Sequence, residues 1–140
     1  MNFILVLYRN RNVNTGALLL RLLLGILFVS AGWGKVTHID MVIGFFGGMG
    51  FSPFQAYLVG YTELIAGLLV LVGLFQKPAT VALAVIMAVV VWGLPGKPND
   101  IFFGHNYDFV LLGTLISLYF IGSGKYSLSH WIQSRRGVQA

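Results

Sequence analysis

The chain has 140 residues, of which 57% are hydrophobic and only 9% are charged, and its mean hydropathy is +0.83. A soluble domain of this length cannot bury so much apolar surface in one core, which excludes a soluble enzyme or binding domain. The absence of cysteine excludes disulfides, thiolate metal sites and dithiol redox chemistry, and in so apolar a chain the net charge of +5 indicates membrane orientation rather than a nucleic-acid partner.

Four apolar segments follow one another along the chain, at residues 17–36, 56–75, 78–95 and 107–122. About 20 apolar residues in a helix cross a hydrocarbon core about 30 Å thick. The sequence therefore predicts an all-α fold, a polytopic membrane four-helix bundle that forms a single domain over residues 1–140. The apolar run at the N-terminus precedes Arg9 and Arg11, which is the reverse of a cleavable signal peptide, so we expect the first span to be an uncleaved anchor.

The segment Ile39–Pro53, between the first two spans, is apolar but too short to cross a bilayer. Asp40 can cap a short helix there, and the glycines at 47, 48 and 50 can end it. We expect an interfacial helix or a shallow re-entrant segment at the outer face, with its aromatic side chains facing lipid or covering a cavity.

Two later connections also have a predicted form. The turn Gln76–Pro78 is so short that the second and third spans must form an antiparallel hairpin, and Pro78 suits a first helical position. Residues 127–137 read as a short amphipathic helix at the inner headgroups.

Loop charges predict the orientation. With four spans, both termini and the connection between the second and third spans lie on one side, which carries Arg9, Arg11, Lys77, Lys125, Arg135 and Arg136. The other side has only Lys35 and Lys97. The positive-inside rule therefore places both termini in the cytoplasm.

Arg21 and Glu63 are ionisable residues inside the predicted spans, where a charge costs about 2.5–3.5 kcal/mol at the helix centre. Arg21 is close enough to the cytoplasmic end of its span to snorkel, but it shares a helix face with Gly25 and Gly32, which favours the bundle interior. Glu63 lies about two turns inside the second span, on a face with small residues, and Lys35 is its expected cation. A structural ion pair and a proton or ligand site both remain open for Glu63.

Scarce polar residues converge on the outer half of the predicted bundle. The candidate pocket is formed by Lys35, Glu63, His105 and Asp108, with supporting roles for Arg21, His38 and Asn106. A carboxylate at a helix start, such as Asp108, is also explained by the helix dipole alone. The two histidines are too sparse for a metal site, so no metal is expected.

Three segments resemble the DoxX family of small four-helix membrane proteins. They read RLLLGILFVSAGWGKV from Arg21, YTELIAGLLVLVGLFQKPA from Tyr61 and YDFVLLGTLISLYFIGSGKYSLSHW from Tyr107, and the resemblance covers roughly residues 18–128. It places Arg21, Lys35 and Glu63 on family motif positions, whereas Asp108 stands where a glutamate is usual. The usual Ser-Leu-Asp ending is here Ser127-Leu128-Ser129, without the acid.

The resemblance implies a bacterial inner-membrane protein of a redox or stress-response system. Members are labelled oxidoreductases through similarity to a subunit of a thiosulfate:quinone oxidoreductase, so we expect a lipid-soluble ligand such as a quinone, and a redox partner subunit or a homo-oligomer in the bilayer. A non-enzymatic accessory or assembly protein with structural buried charges is an alternative. A small proton-coupled transporter is a third, and would need a water path that Arg21 and Glu63 alone do not make.

Overall fold

A computed structural model describes the backbone of residues 11–93 and 105–137 and the side chains of residues 13–91 and 108–137. Within these ranges the chain forms six α-helices: α1 (Arg11–Thr37), α2 (Ile39–Gly48), α3 (Pro53–Val72), α4 (Gln76–Gly93), α5 (His105–Ile121) and α6 (Leu128–Gly137). The predicted all-helical fold is confirmed. The four long helices match the four predicted apolar spans, and the two short ones lie in the segments expected at the membrane surfaces.

The helices α1 and α3 are antiparallel and touch through glycines. A Cβ atom added at Gly32 would lie 2.4 Å from the backbone nitrogen of Leu64, and one added at Gly67 would lie 2.9 Å from that of Val29. No side chain fits at either point, because the two backbones are in direct contact. The glycine-bearing faces predicted for the first two spans therefore form the seam between them.

The helix α4 packs against α3 and α5, and α1 also touches α5, which closes the bundle. The side chains buried between these helices are apolar over most of the bundle length, and they include Leu24, Phe28, Val70, Leu83, Met87, Leu112, Leu115 and Leu118. This core is small because many of the apolar side chains face outward instead.

The outward faces are those of a membrane protein. The parts of α1 from Val13 to Thr37 and of α3 from Pro53 to Val72 are long and apolar enough to cross a bilayer, while α2 and the apolar parts of α4 and α5 are shorter. Large apolar side chains on the long helices are more than half exposed, among them Leu23, Ile26, Val85, Phe109 and Phe120. Such a surface requires lipid rather than water around it.

The boundary between α3 and α4 differs from the predicted one. The helix α3 ends at Val72, three residues early, because Gly73 adopts a left-handed φ of +75° that no helix can continue. The backbone N–H groups of Gly73 and Leu74 both donate to the carbonyl of Leu69 at 2.9 Å. The antiparallel hairpin forms as predicted, but its turn is residues 73–75, and Pro78 is the third residue of α4.

The predicted cap of α2 is wrong, and a polar side chain near the start of α1 joins two parts of the chain. The helix α1 covers Arg11–Thr37, and Oδ1 of Asn14 within it accepts a hydrogen bond from the backbone N–H of Lys125 at 3.0 Å. At α2 the cap position is His38, and Asp40 lies within the first turn. The predicted end of the third span at Pro95 lies outside the described residues.

The long helices alternate in direction, so the described chain has two ends. The α2 end holds the last turn of α1, all of α2, the first turn of α3 and the start of α5. The α6 end holds the start of α1, the turn between α3 and α4, the end of α5 and all of α6.

Candidate functional site

Lys35 and Glu63 form an ion pair near the α2 end. The Nζ of Lys35 lies 2.6 Å from Oε2 of Glu63, whose side chain is 3% exposed, while that of Lys35 is 29% exposed. Gly60 allows this approach, since a Cβ added to it would lie 3.3 Å from the Cβ of Lys35. The pairing expected from the sequence is present, and it places a carboxylate–ammonium pair at the edge of an apolar bundle.

A cleft of about 430 Å³ opens beside this ion pair, between α2, α3, α4 and the start of α5. We call it the α2 cleft. Its polar lining consists of Lys35, Gln55, Glu63 and Asp108, and the rest is aromatic or aliphatic. This volume lies within the range of about 300–1,000 Å³ typical of small-molecule sites.

Aromatic side chains from α2 and the turn after it cover the cleft. The ring centroids of Phe45 and Phe46 are 6.2 Å apart, and those of Phe46 and Phe51 are 5.9 Å apart. All three rings line the α2 cleft. The expectation that the aromatic residues of this segment cover a cavity is therefore met by the fold.

One wall of the α2 cleft belongs to the outer surface of the bundle. Leu58 of α3 and Val85 and Val89 of α4 line the cleft and are also about half exposed. Through these side chains the cleft opens onto the exposed apolar surface of the bundle.

The structure brings three of the four predicted pocket residues together: Lys35, Glu63 and Asp108 line one cleft. The fourth, His105, is the first residue of α5, but its side chain and that of the supporting Asn106 lie outside the described residues. The prediction for these two residues is thus not decided.

His38 does not line the α2 cleft. Its ring is exposed, with Nδ1 3.0 Å from Oγ1 of Thr37 and 3.2 Å from the carbonyl oxygen of Gly34. Gln55, by contrast, lines the cleft although the sequence analysis did not select it. The available signal was the Ser-Pro-x-Gln pattern of a helix start, in which the backbone N–H of Ser52 donates to Oε1 of Gln55 at 2.7 Å.

Arg21 lies at the α6 end, far along α1 from the α2 cleft, and it does not snorkel. Its side chain is only 2% exposed, and its guanidinium donates to four backbone carbonyls. The acceptors are Val70 at 3.1 Å, Leu71 at 3.1 Å, Ser123 at 3.0 Å and Tyr126 at 2.8 Å. These carbonyls belong to the last turn of α3 and to the loop between α5 and α6, so Arg21 ties three helices together.

Gly73 makes room for this cluster. A Cβ at this position would lie 2.7 Å from Cζ of Arg21 and 2.6 Å from Cβ of Ser127. The carbonyl of Gly73 accepts from the backbone N–H and the hydroxyl of Ser129, the latter at 2.6 Å. The supporting role expected for Arg21 in the pocket is therefore not a direct contact, because its bonds are at the opposite end of the bundle.

These features define an all-helical membrane protein with a polar cleft at one end and an arginine-centred cluster at the other. The chain belongs to the DoxX family, whose model matches residues 16–95.

Two curated relatives match most of the chain. A protein of Bacillus subtilis (strain 168) named "Putative oxidoreductase CatD" is 35% identical over 126 residues, which cover 88% of this chain and 91% of that protein. A protein of Escherichia coli (strain K12) named "Inner membrane protein YqjF" is 26% identical over 126 residues, which cover 87% of this chain and 95% of that protein. No solved structure is significantly similar.

Proposed function

We propose that this DoxX-family protein is the membrane-embedded subunit of a quinone-linked redox or stress-response system, and that the α2 cleft binds the quinone ring. The observation that carries the proposal is the position of the Lys35–Glu63 pair and Asp108 in a largely apolar cleft that aromatic side chains cover. The relative named as an oxidoreductase supports a redox role. Since the sequence has no cysteine, a partner subunit supplies the electrons in this proposal.

The cleft matches the chemistry of a quinone. A lysine ammonium has three donors, and Lys35 directs one of them at Glu63, so the same ammonium can also donate to a quinone carbonyl. The rings of Phe45, Phe46 and Phe51 offer faces and edges for the quinone ring. Reduction of a quinone consumes protons, which Glu63 or Asp108 is placed to deliver.

The open wall of the cleft supports a lipid-soluble ligand. Leu58, Val85 and Val89 are exposed on the bundle surface while lining the cleft. A ligand dissolved in the bilayer reaches the Lys35–Glu63 pair through this wall without passing through water.

The proposed topology has four membrane crossings with both termini in the cytoplasm of a bacterium. At 1.5 Å per residue, α4 and α5 are about 27 and 26 Å long, close to the hydrocarbon thickness, whereas α2 is about 15 Å long. The relative named as an inner membrane protein supports the compartment. In this orientation the α2 cleft opens at the outer half of the bilayer.

A quinone panel tests the proposal by ligand-induced melting in mild detergent. A bound quinone at about 100 times its Kd stabilises the folded protein by about 2.7 kcal/mol, which raises the Tm by several degrees. We expect this rise for wild type and for Asp40→Asn, which removes an exposed carboxylate at the same end. Glu63→Gln should lose most of the rise. No rise with any quinone in wild type would overturn the proposal.

One observation favours the alternative function, that of a non-enzymatic accessory or assembly protein. Arg21 is satisfied by backbone carbonyls and Glu63 by Lys35, so each buried charge already has a structural partner. If Glu63→Gln lowers the melting temperature but leaves the quinone-induced rise intact, Glu63 has this structural role alone.

A further inference from the structure

A second cleft lies at the α6 end, between the turn from α3 to α4, the end of α5 and the helix α6. It has a volume of about 500 Å³, and we call it the α6 cleft. Its polar lining differs from that of the α2 cleft, since it contains hydroxyls and, among the described residues, no carboxylate. The polar lining residues are Gln76, Lys77, Ser123, Ser129, Gln133 and Arg136.

Gln76, one of the residues that line the α6 cleft, has a buried acceptor without a partner among the described residues. The residue is 4% exposed, and its Nε2 donates to the carbonyl of Leu118 at 3.2 Å. Its Oε1 has no hydrogen-bond partner among the described residues. Exchanging the two amide atoms would place an oxygen against the carbonyl of Leu118, so the free atom is an acceptor. A buried acceptor without a donor destabilises the folded protein, and a ligand that brings a hydroxyl group removes this cost by donating to it.

The charges around the same cleft are positive. Lys77 and Arg136 line it, and no acidic residue does within the part of the chain that the structure describes. The first turn of α4, at residues 76–78, borders the cleft and adds the positive end of a helix dipole. The cleft is thus suited to an anion that also carries a hydrogen-bond donor.

The position of the α6 cleft indicates that this anion belongs to the headgroup layer of a membrane. It lies at the end of a bundle with a lipid-facing surface, next to the exposed, basic α6, where the guanidinium of Arg135 lies 4.6 Å from the ring centroid of Trp131. Tryptophan and arginine at a helix end are typical of the headgroup layer of a membrane. Phe75 and Ile132 also line the cleft, which provides an apolar side next to the polar one.

We propose that the α6 cleft binds the headgroup of an anionic phospholipid that carries hydroxyl groups, of the phosphatidylglycerol type. The phosphate lies between Lys77 and Arg136, and a headgroup hydroxyl donates to Oε1 of Gln76. This site is separate from the α2 cleft and does not depend on quinone binding.

Native mass spectrometry of the detergent-purified protein with defined lipids tests the proposal. Phosphatidylglycerol and phosphatidylethanol have the same charge, but only the first has headgroup hydroxyls. We expect wild type to bind phosphatidylglycerol about tenfold more tightly than phosphatidylethanol, the effect of one satisfied buried hydrogen bond. Gln76→Leu should abolish the difference while leaving phosphatidylethanol binding unchanged, which also shows that the variant is folded.

Charge variants test the phosphate position. Arg136→Gln and Lys77→Gln should weaken both anionic lipids about tenfold, whereas Arg135→Gln, which removes a cation on the same helix but outside the cleft lining, should not. The proposal is overturned if wild type binds the two lipids equally, if Arg135→Gln weakens binding as much as Arg136→Gln, or if phosphatidylethanolamine binds as tightly. Equal binding of soluble glycerol phosphate would assign the site to a free phosphate ester instead of a lipid.

Discussion

Two buried charged side chains in this bundle, Arg21 and Glu63, are stabilised in different ways. Among the described residues, the hydrogen-bond acceptors of Arg21 are four backbone carbonyls, which its planar fork of donors can reach at once. Glu63 is paired with an ammonium that keeps partial access to the surroundings. The hydrogen bonds of Arg21 have a structural role, whereas the ammonium of Lys35 also lines a cleft.

The Lys35–Glu63 pair should show direct energetic coupling. Losing one partner of a buried pair costs about 3–5 kcal/mol, and because Lys35 is 29% exposed we expect a value near 3 kcal/mol. A double-mutant cycle with Lys35→Met and Glu63→Gln, read as thermal stability in detergent, should give a coupling of about 1–3 kcal/mol. Lys35→Met combined with Asp40→Asn is the matched control and should be additive. Additive effects of Lys35→Met and Glu63→Gln would mean that the two side chains have no energetic coupling.

The helices α1 and α3 pack closely at glycines rather than through large side chains. Gly32 and Gly67 lie where the two backbones meet, and a Cβ at either position would overlap the opposite main chain. Gly34, on the same helix as Gly32, differs in this respect, since a Cβ there would meet no atom of the described residues within 4 Å. The seam is therefore specific to one face.

Alanine substitutions at these two glycines of α1 should have opposite effects. Gly32→Ala forces the backbones apart and should cost about 1–3 kcal/mol, because α3 cannot move without disturbing the Lys35–Glu63 pair. Gly34→Ala should be neutral or stabilising by about 0.5–1 kcal/mol, since alanine loses less backbone entropy in a helix. Melting temperatures in one detergent compare the two variants. Equal destabilisation by both would show that the seam is not the cause.

The sequence predicts the helices better than their ends. Apolar runs and short turns define the four long helices, and the glycine faces predict how the first two of them, α1 and α3, meet. The predicted end of α3 lies three residues beyond the observed one, because Leu74 and Phe75 are as apolar as the helix itself. Only the left-handed φ of Gly73 separates these two residues from the helix. Local composition does not reveal a backbone conformation of this kind.

The sequence predicts the contact in the site that is formed by two scarce charged side chains. It does not predict the contacts in which a side chain binds backbone groups. Lys35 and Glu63 could be paired because few other ions are available in the spans. The acceptors of Arg21 are carbonyls, which every residue has, so no sequence pattern identifies them. The unpaired Oε1 of Gln76 depends on the position of Leu118, 42 residues away, and follows only from the packed fold.

The molecule has an unequal distribution of charge between its ends. The α6 end carries Lys77, Lys125, Arg135 and Arg136, whereas Lys35 at the α2 end is paired with a carboxylate and Asp40 lies nearby. From this asymmetry we propose that the α6 end lies in the cytoplasm, since lysine and arginine are retained on that side of a membrane. In the proposed orientation, the α2 cleft lies toward the outer half of the bilayer and the α6 cleft lies against the inner leaflet.

Cysteine accessibility tests both the orientation and the number of crossings, and the chain has no native cysteine to interfere. Single cysteines at His38, Asn99 and Ser134 are probed with an impermeant thiol reagent in intact cells, with permeabilised cells as the control for reactivity. We expect labelling at His38 and Asn99 in intact cells, and at Ser134 only after permeabilisation, because the positive α6 end stays inside. Labelling at Ser134 in intact cells would reverse the orientation. If His38 is labelled and Asn99 is not, α4 and α5 do not cross the bilayer, and only α1 and α3 span it.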